Sequence, residues 1–357
     1  ERRIRELAVW GLGRSSASEA VTELESLSNQ SFITVRALAA IGLGRLGGGK
    51  DKLTSLLKND TSALVRAAAA WGLSRVGDST ITDTLIQALR NEKDSSAAAM
   101  AAWALGAVGD DRALEPLLDA YWSDLPELRE VAAKALLRWG TKTKPEPSQS
   151  LWEENVSFIN LSADDSKFDV EGLLRELQRA EMRALPELRF TPTEAQRGLL
   201  VEALRLRLSD ESVELQRTVL ADLEQSTGLL ASLADGEAAP ILVALDAELI
   251  QLLGSKDATV RWQVCSVLAN SSGSKASEAL IERLRNDDEV EVRRRAALAL
   301  GRSKVLEAYA PLVEALGAES FALRADAAWA LGMLGNADAV EPLLDRLDDP
   351  FTYVAAM

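Results

Sequence analysis

The sequence contains no histidine and only one cysteine, Cys265, among its 357 residues. These absences exclude disulfides within the chain, zinc sites built from Cys and His, and every mechanism that needs a histidine base. No apolar run approaches the roughly 18 residues that span a membrane, and no secretory signal is visible. The compartment therefore stays open. Cys265 lies on an apolar helix face, where we expect a small buried side chain rather than a reactive thiol.

Positive charge is also scarce, since 40 Lys and Arg face 55 Asp and Glu and the formal net charge is -15. A protein that grips a nucleic-acid backbone carries a basic surface, so nucleic acid is disfavoured as a partner. The acidic residues are spread along the chain, and no pair of them stands out as catalytic. The sequence therefore predicts no catalytic residue, no cofactor and no metal site.

The stretch Gly42 to Lys50 contains two phosphate-loop patterns, G-x-G-x-x-G and G-x-x-x-x-G-K. Both patterns need a strand that turns sharply into a helix whose N–H groups face the phosphates. The preceding residues, Val35 to Ile41, have helical spacing instead. These glycines are therefore interpreted as the end of a helix, and nucleotide binding is not predicted.

A phrase of about 31 residues recurs along the chain, in eight clear copies and a ninth that has begun. Each copy has small or aliphatic residues at the spacing that puts one apolar stripe on a helix. Glycines at the end of this stripe predict left-handed helix caps, and a second helix follows each cap. The copies start at Ile4, Val35, Val65, Ala97, Leu128, Val260, Val292, Leu323 and Val354, and the cap glycines are Gly47, Gly77, Gly109, Gly140 and Gly335.

Such helical hairpins cannot bury their stripes alone and must stack on one another. The predicted fold is all-α, an α-solenoid of stacked hairpins with a non-repeat insertion in the middle. Glycines one turn before the caps, at Gly44, Gly106, Gly301 and Gly332, predict close approach of neighbouring helices. The predicted domains are an N-terminal repeat array over 1–140, an irregular or helical insertion over 141–255 and a C-terminal repeat array over 256–357.

The insertion contains several recognisable segments. Residues 141–150 are typical of an exposed linker, and residues 151–162 favour a short extended segment. Phe168 to Leu185 predicts an amphipathic helix, and Thr191 to Glu194 predicts a capping box that opens a helix to about Leu208. Val213 to Leu253 is interpreted as one degenerate repeat, with Glu214 where the other repeats have arginine.

The repeated phrase VRxxAAxALGxLGDxxAxxPLLxAL resembles the HEAT repeat, in the short variant of phycobilisome-lyase-type proteins. The resemblance covers roughly residues 2–140 and 257–357. It implies the fold and leaves the function open, because this architecture serves many unrelated roles. HEAT-like iron hydroxylases need His-Glu pairs, which are missing here, and HEAT-like DNA glycosylases use a basic cleft, against which the net charge argues. A bilin lyase-like or chaperone-like subunit remains an alternative.

Acidic residues form two columns at fixed positions of the second helices. If these helices line the inner surface, as the resemblance implies, the columns form an acidic concave groove that attracts a basic segment of a protein partner. A solvated face is the alternative interpretation. The first column contains Asp83, Glu115, Glu278 and Glu341, and the second contains Asp119, Glu282, Glu314 and Asp345.

Four of the eight tryptophans, Trp10, Trp71, Trp103 and Trp329, share the position six residues into the first helix. This position lies roughly 130° from the centre of the apolar stripe. Trp71 and Trp103 belong to adjacent repeats, so they predict a continuous aromatic surface stripe that contacts a partner. Packing between neighbouring repeats is the alternative.

Seven arginines share the position after the first apolar residue of the repeat. A guanidinium fork suits carboxylates, so we interpret them as an internal ladder in which each arginine meets an acidic turn, with a basic anion-binding stripe as the alternative. They are Arg5, Arg36, Arg66, Arg129, Arg261, Arg293 and Arg324.

Taken together, these patterns predict a noncatalytic scaffold or adaptor that binds a protein partner. A structural component that assembles with its own copies is the third possibility, and the oligomeric state stays open. Because the sequence starts and stops within repeats, we expect it to be a piece of a longer array.

Overall fold

The computed structural model describes residues 2–15, 17, 19–141, 169–184, 191–224, 229–270, 274–351 and 354. The regular elements of these residues are helices, which confirms the all-α class. The chain divides into two compact units, Glu1–Phe190 and Thr191–Met357. This division falls inside the predicted insertion 141–255. The predicted linker after Thr141 and the predicted extended segment 151–162 lie outside the described residues.

The first unit stacks helical hairpins, in which the first helices form one layer, the A layer, and the second helices form the B layer. Each A-layer helix packs on the next one and, from α3 onward, on the second helix of the preceding hairpin. The A layer contains α1 (Arg2–Gly13), α3 (Ile33–Arg45), α5 (Ala63–Val76), α7 (Ser95–Val108) and α9 (Pro126–Thr141). The B layer contains α2 (Glu19–Leu27), α4 (Lys50–Asn59), α6 (Thr82–Asn91) and α8 (Leu114–Tyr121), and the unit also contains α10 (Val170–Ala184).

The second unit repeats this arrangement, so both units are α-solenoids. Its A-layer helices are α12 (Val213–Glu224), α15 (Ala258–Leu268), α17 (Val290–Arg302) and α19 (Phe321–Leu334). Its second helices are α14 (Asp246–Leu252), α16 (Ser274–Asn286), α18 (Tyr309–Ala315) and α20 (Val340–Leu344). The helices α11 (Glu194–Leu208) and α13 (Ala238–Ala244) pack beside the degenerate repeat that α12 opens.

Small residues let the A-layer helices approach closely. A Cβ on Gly44 would overlap the Cα of Gly72 in the next helix, and a Cβ on Gly106 would lie 2.5 Å from the carbonyl oxygen of Ala135. Gly301 meets Ala330 in the same way. The prediction of close approach is wrong at Gly332, where an added Cβ would meet no atom of a neighbouring helix within 4 Å. No further A-layer helix of the described residues packs there.

The predicted caps are confirmed at four of the five positions. Gly47, Gly77, Gly109 and Gly335 have φ of 66 to 67°, a left-handed conformation that glycine adopts without strain. Gly140 is not a cap, because α9 continues to Thr141. There the Thr141 hydroxyl donates a hydrogen bond to the carbonyl of Leu137 at 2.9 Å, which satisfies one carbonyl group of the last described turn.

The phosphate-loop patterns are helix ends, as predicted. Gly42 and Gly44 lie within α3, and Lys50 starts α4. The Lys50 ammonium binds Oδ2 of Asp78 at 2.6 Å. The capping box before α11 is displaced from its predicted position, because Thr193, rather than Thr191, caps the helix and exchanges hydrogen bonds with Gln196. The proline therefore precedes the cap.

The arginine ladder is confirmed at four of its seven predicted positions. Arg36, Arg66, Arg261 and Arg324 each make two hydrogen bonds to one carboxylate at the end of the same repeat, namely Asp60, Glu92, Asp287 and Asp349. Each guanidinium also donates to carbonyl groups of the preceding turn. Each ladder arginine thus connects its own helix to the turn before it and to the carboxylate at the end of its repeat, the latter through a bidentate ion pair.

In the degenerate repeat a different arginine completes the ladder. Glu214 occupies the usual arginine position and is exposed. Arg217, three residues later, binds the carboxylate of Asp257 instead. Across the part of the chain that the structure describes, no helix combines the length and the apolar character needed to cross a membrane.

Candidate functional site

The predicted acidic residues lie on the second helices, and seven of the eight are exposed while Glu115 is half-buried. In the first unit, Asp83 is on α6, and Glu115 and Asp119 are on α8. In the second unit, Glu278 and Glu282 are on α16, Glu314 is on α18, Glu341 is on α20, and Asp345 follows it. The structure therefore places them on the B side of two separate units.

Arginines of neighbouring repeats already neutralise part of this charge. Asp83 binds Arg112 at 2.9 Å, and Glu314 binds Arg285 at 3.1 Å. Both pairs are exposed, so each contributes little to stability. Exposed pairs of this strength can exchange for a partner's basic side chains at small cost.

The predicted aromatic surface stripe is wrong at its two central residues. Trp71 and Trp103 are 0% exposed, Trp10 is buried, and Trp329 is half-buried. In the first unit, α10, a helix that belongs to no repeat, packs on α3 and α5 and reaches Trp71 and Trp103 with its Glu181. The position six residues into the repeat is thus a contact surface, but its occupant is part of the same unit.

The covering helix α10 is amphipathic, as the sequence predicts. Asp169 caps it by accepting from the backbone N–H of Gly172 at 2.8 Å. Two ion pairs lie among its more exposed residues, between Glu171 and Arg175 and between Glu176 and Arg179. Its buried face contains Val170, Leu173, Leu174, Leu177, Gln178, Ala180 and Glu181.

Glu181 is the centre of a buried polar cluster. Its side chain is 0% exposed, and its Oε2 accepts from the indole N–H of Trp103 at 2.6 Å. Arg138 of α9 lies 3.7 Å from the same oxygen, and Arg75 of α5 lies 3.8 Å from the other. The Arg138 guanidinium also stacks 4.5 Å from the centroid of the Trp103 ring. We call the surface formed by Trp71, Arg75, Trp103 and Arg138 the tryptophan face.

Burial dominates the electrostatics of this cluster. It raises the pKa of Glu181, against the opposing effects of Arg138, Trp103 and Arg75. Burial also lowers the pKa of Arg138 to about 10, although Glu181 acts in the opposite direction. Both charged forms are therefore incompletely compensated. The buried Nε and Nη1 of Arg138 and Oε1 of Glu181 have no hydrogen-bond partner among the described residues.

The sequence prediction missed Glu181, Arg75 and Arg138, although a signal for them was present. Arginine recurs ten residues into the A-layer phrase, at Arg14, Arg45, Arg75, Arg138 and Arg302. Ala107 occupies this position in α7, between the helices of Arg75 and Arg138. A glutamate within the otherwise apolar stripe of α10 was the matching signal.

A cavity of about 260 Å³ lies beside the other end of α10. It is lined by Leu174 and Gln178 of α10, by Met100 of α7 and by several charged side chains. Three of these are carboxylates, Asp94, Glu127 and Glu171, and one is the guanidinium of Arg175. Thus α10 leaves part of this surface unfilled, and its Glu171 adds a negative charge to an already acidic rim.

The other candidate features of the described residues are Cys265, any cluster that could hold a metal ion, and a second cleft. Cys265 is fully buried, as predicted, and burial raises the pKa of its thiol to about 12. Within the described ranges, no group of three or more Asp, Glu, His or Cys could hold a metal ion. A cleft of about 620 Å³ lies at the degenerate repeat, lined partly by Glu248, Lys256 and Asp257.

Comparison with known proteins agrees with the repeat pattern. Residues 50–137 and 277–357 match the family model described as HEAT repeats. No curated protein matches the sequence significantly.

Several solved structures align with the chain. Human deoxyhypusine hydroxylase, solved with glycerol, is 21% identical over 93% of this chain and 97% of that chain, with a TM-score of 0.30. An engineered protein is 19% identical over 99% of this chain and 96% of that chain, with a TM-score of 0.32. The karyopherin Kap121p, bound to the extreme C-terminus of the protein phosphatase Cdc14p, is 15% identical over 96% of this chain and 41% of that chain, with a TM-score of 0.43. Residues 50–137 and 277–357, one stretch in each unit, therefore have the pattern of HEAT repeats.

Proposed function

We propose that this protein is a noncatalytic scaffold that binds a basic segment of a protein partner through the acidic residues of its second helices. The observation that carries the proposal is their placement, since seven of the eight side chains are exposed on successive hairpins. A run of like charge on a rigid array attracts an oppositely charged segment and accelerates its association. Such a role needs no catalytic residue.

The second unit offers the denser acidic surface. Glu278, Glu282 and Glu314 lie on the neighbouring helices α16 and α18, and Glu341 and Asp345 lie on the last hairpin. Arg285 neutralises Glu314, and Arg283 approaches Glu282 at 4.0 Å. A basic partner segment would compete with these exposed arginines, so its binding should weaken as salt is added.

The test is a pull-down with a charge-reversed protein. Lysine replaces Glu115, Asp119, Glu341 and Asp345, which are surface residues outside the arginine ladder. The expected result is the loss of one specific partner that the unchanged protein retains at low salt and releases at high salt. Unchanged recovery of every partner would reject the proposal.

A matched control separates this effect from a general change of charge. Lysine replaces four exposed acidic residues that lie outside the second helices, namely Glu130, Glu194, Glu211 and Asp288. This variant has the same net charge as the first. The proposal expects it to retain the partner, and loss of the partner in both variants would contradict a specific acidic surface.

A further inference from the structure

The tryptophan face has the composition of a binding site rather than of a repeat interior. It combines two indole rings with two guanidinium groups, and all four side chains come from the A layer of consecutive repeats. Aromatic rings and arginine are the residues that most often anchor a bound helix or peptide. The ligand that fills this face here is α10, which lies outside the repeat pattern.

The fit of α10 is good at its centre. Leu173 and Leu177 are 0% exposed, and Glu181 places its carboxylate against Trp103, Arg138 and Arg75. A carboxylate at this point is needed because the face buries the positive charge of Arg138, which is 2% exposed. A helix without an acidic side chain here would leave that charge uncompensated.

The fit is nevertheless incomplete in two respects. Nε and Nη1 of Arg138, which lie on the array, have no hydrogen-bond partner among the described residues, and neither has Oε1 of Glu181. Near the first turn of α10, the cavity of about 260 Å³ stays unfilled, and the three carboxylates of Asp94, Glu127 and Glu171 face a single guanidinium there, that of Arg175, which pairs with Glu171. A helix with a basic residue at the place of Glu171 would complement this rim.

We propose that the tryptophan face is a helix-binding site that α10 occupies within the chain and that the helix of a partner protein can take over. The partner helix has a leucine stripe like that of α10, a carboxylate at the place of Glu181 and a lysine or arginine at the place of Glu171. This site is distinct from the acidic surface of the second helices. This proposal can therefore be tested independently of the proposed scaffold function.

Chain connectivity makes the exchange measurable. Residues 142–169 separate α9 from α10, so α10 competes with any added helix at a high effective concentration. The probe is a fluorescent peptide of residues 169–184, added to the full chain. In one chain variant, Leu173→Ala and Leu177→Ala weaken the internal helix, and in a second variant Glu181→Lys removes its carboxylate.

The expected result is that both weakened chains bind the peptide at least about tenfold more tightly than the unchanged chain. A peptide with Glu171→Lys should bind about threefold more tightly than the natural peptide, a size typical of exposed charges. A peptide with Glu181→Lys should bind at least about tenfold more weakly, because two like charges would then be buried together.

The matched control is Arg179→Ala, which changes an exposed residue of α10 on the side away from the array. The Arg179→Ala chain should bind the peptide as weakly as the unchanged chain does. The proposal is overturned if the weakened chains bind no better than the control. It is equally overturned if they lose the cooperative thermal transition of the helical array, since α10 would then be a structural part of the unit.

Discussion

The indole N–H of Trp103 donates to Oε2 of Glu181 across 2.6 Å, and this bond joins a repeat helix to a helix outside the repeats. The two residues are 78 positions apart in the sequence. Around them, Arg138 and Arg75 place positive charge near a carboxylate that water does not reach. The arrangement explains why the aromatic column of the first unit is buried.

The buried pair of Glu181 and Arg138 should be costly to break and cheap to replace. Glu181→Gln leaves the Arg138 charge uncompensated, so we expect it to lower the unfolding free energy by about 3 kcal/mol. The double variant Glu181→Leu with Arg138→Met removes both charges and should recover most of this loss. Urea unfolding followed by circular dichroism measures the difference. Equal losses in both variants would show that the pair itself is strongly stabilising.

The ladder arginines should matter more than the surface arginines. Asp287 is 3% exposed and receives two hydrogen bonds of 2.8 Å from Arg261. Arg261→Ala should therefore cost about 3 kcal/mol of unfolding free energy, whereas Arg285→Ala, which breaks an exposed pair, should cost less than about 1 kcal/mol. Similar urea midpoints for the two variants would contradict the distinction.

Acid should unfold the arrays at a pH below the usual range of carboxylate titration. The hydrogen bond from Lys50 lowers the pKa of Asp78 to about 2, and that from Arg112 lowers the pKa of Asp110 to about 2. Both values lie below the pKa of an unfolded aspartate, about 3.9. The contribution of these groups is therefore complete above that pH and is lost as the pH falls through about 2.

Urea midpoints measured between pH 7 and pH 2 test this prediction. Stability should change little down to about pH 4 and then fall steeply towards pH 2, and the fall should be shallower in a variant with Asp78→Asn and Asp110→Asn. An unchanged slope in that variant would show that other carboxylates control the acid transition.

The close contact of α3 and α5 makes Gly44 sensitive to a single methyl group. Gly44→Ala places a Cβ in steric overlap with the Cα of Gly72. The helices must therefore separate, which should lower the unfolding free energy by about 1–3 kcal/mol. Gly11→Ala is the matched control, because a Cβ added to this helical glycine of α1 would meet no neighbouring atom within 4 Å. There alanine should stabilise the protein by about 0.5–1 kcal/mol through helix propensity. Thermal melts of the two variants should shift in opposite directions.

Sequence analysis predicted the parts of the fold that repeat. The ladder from Arg36 to Asp60 and the cap at Gly77 follow from spacing alone, because each one depends on residues within the same or the adjacent hairpin. The missing cap at Gly140 and the displaced capping box at Thr193 were not predictable in this way. Both lie at the edge of the repeats, where the pattern no longer constrains the chain.

The sequence by itself determined the helices, their pairing into hairpins and the acidic residues of the second helices, since a period of about 31 residues places equivalent side chains at equivalent positions. The tertiary structure alone decided what covers Trp71 and Trp103. A periodic pattern specifies contacts between neighbouring copies, but the docking of α10 depends on the match of its Leu stripe and Glu181 to one particular surface. That match exists only once Arg75, Trp103 and Arg138 have been brought together by three different helices.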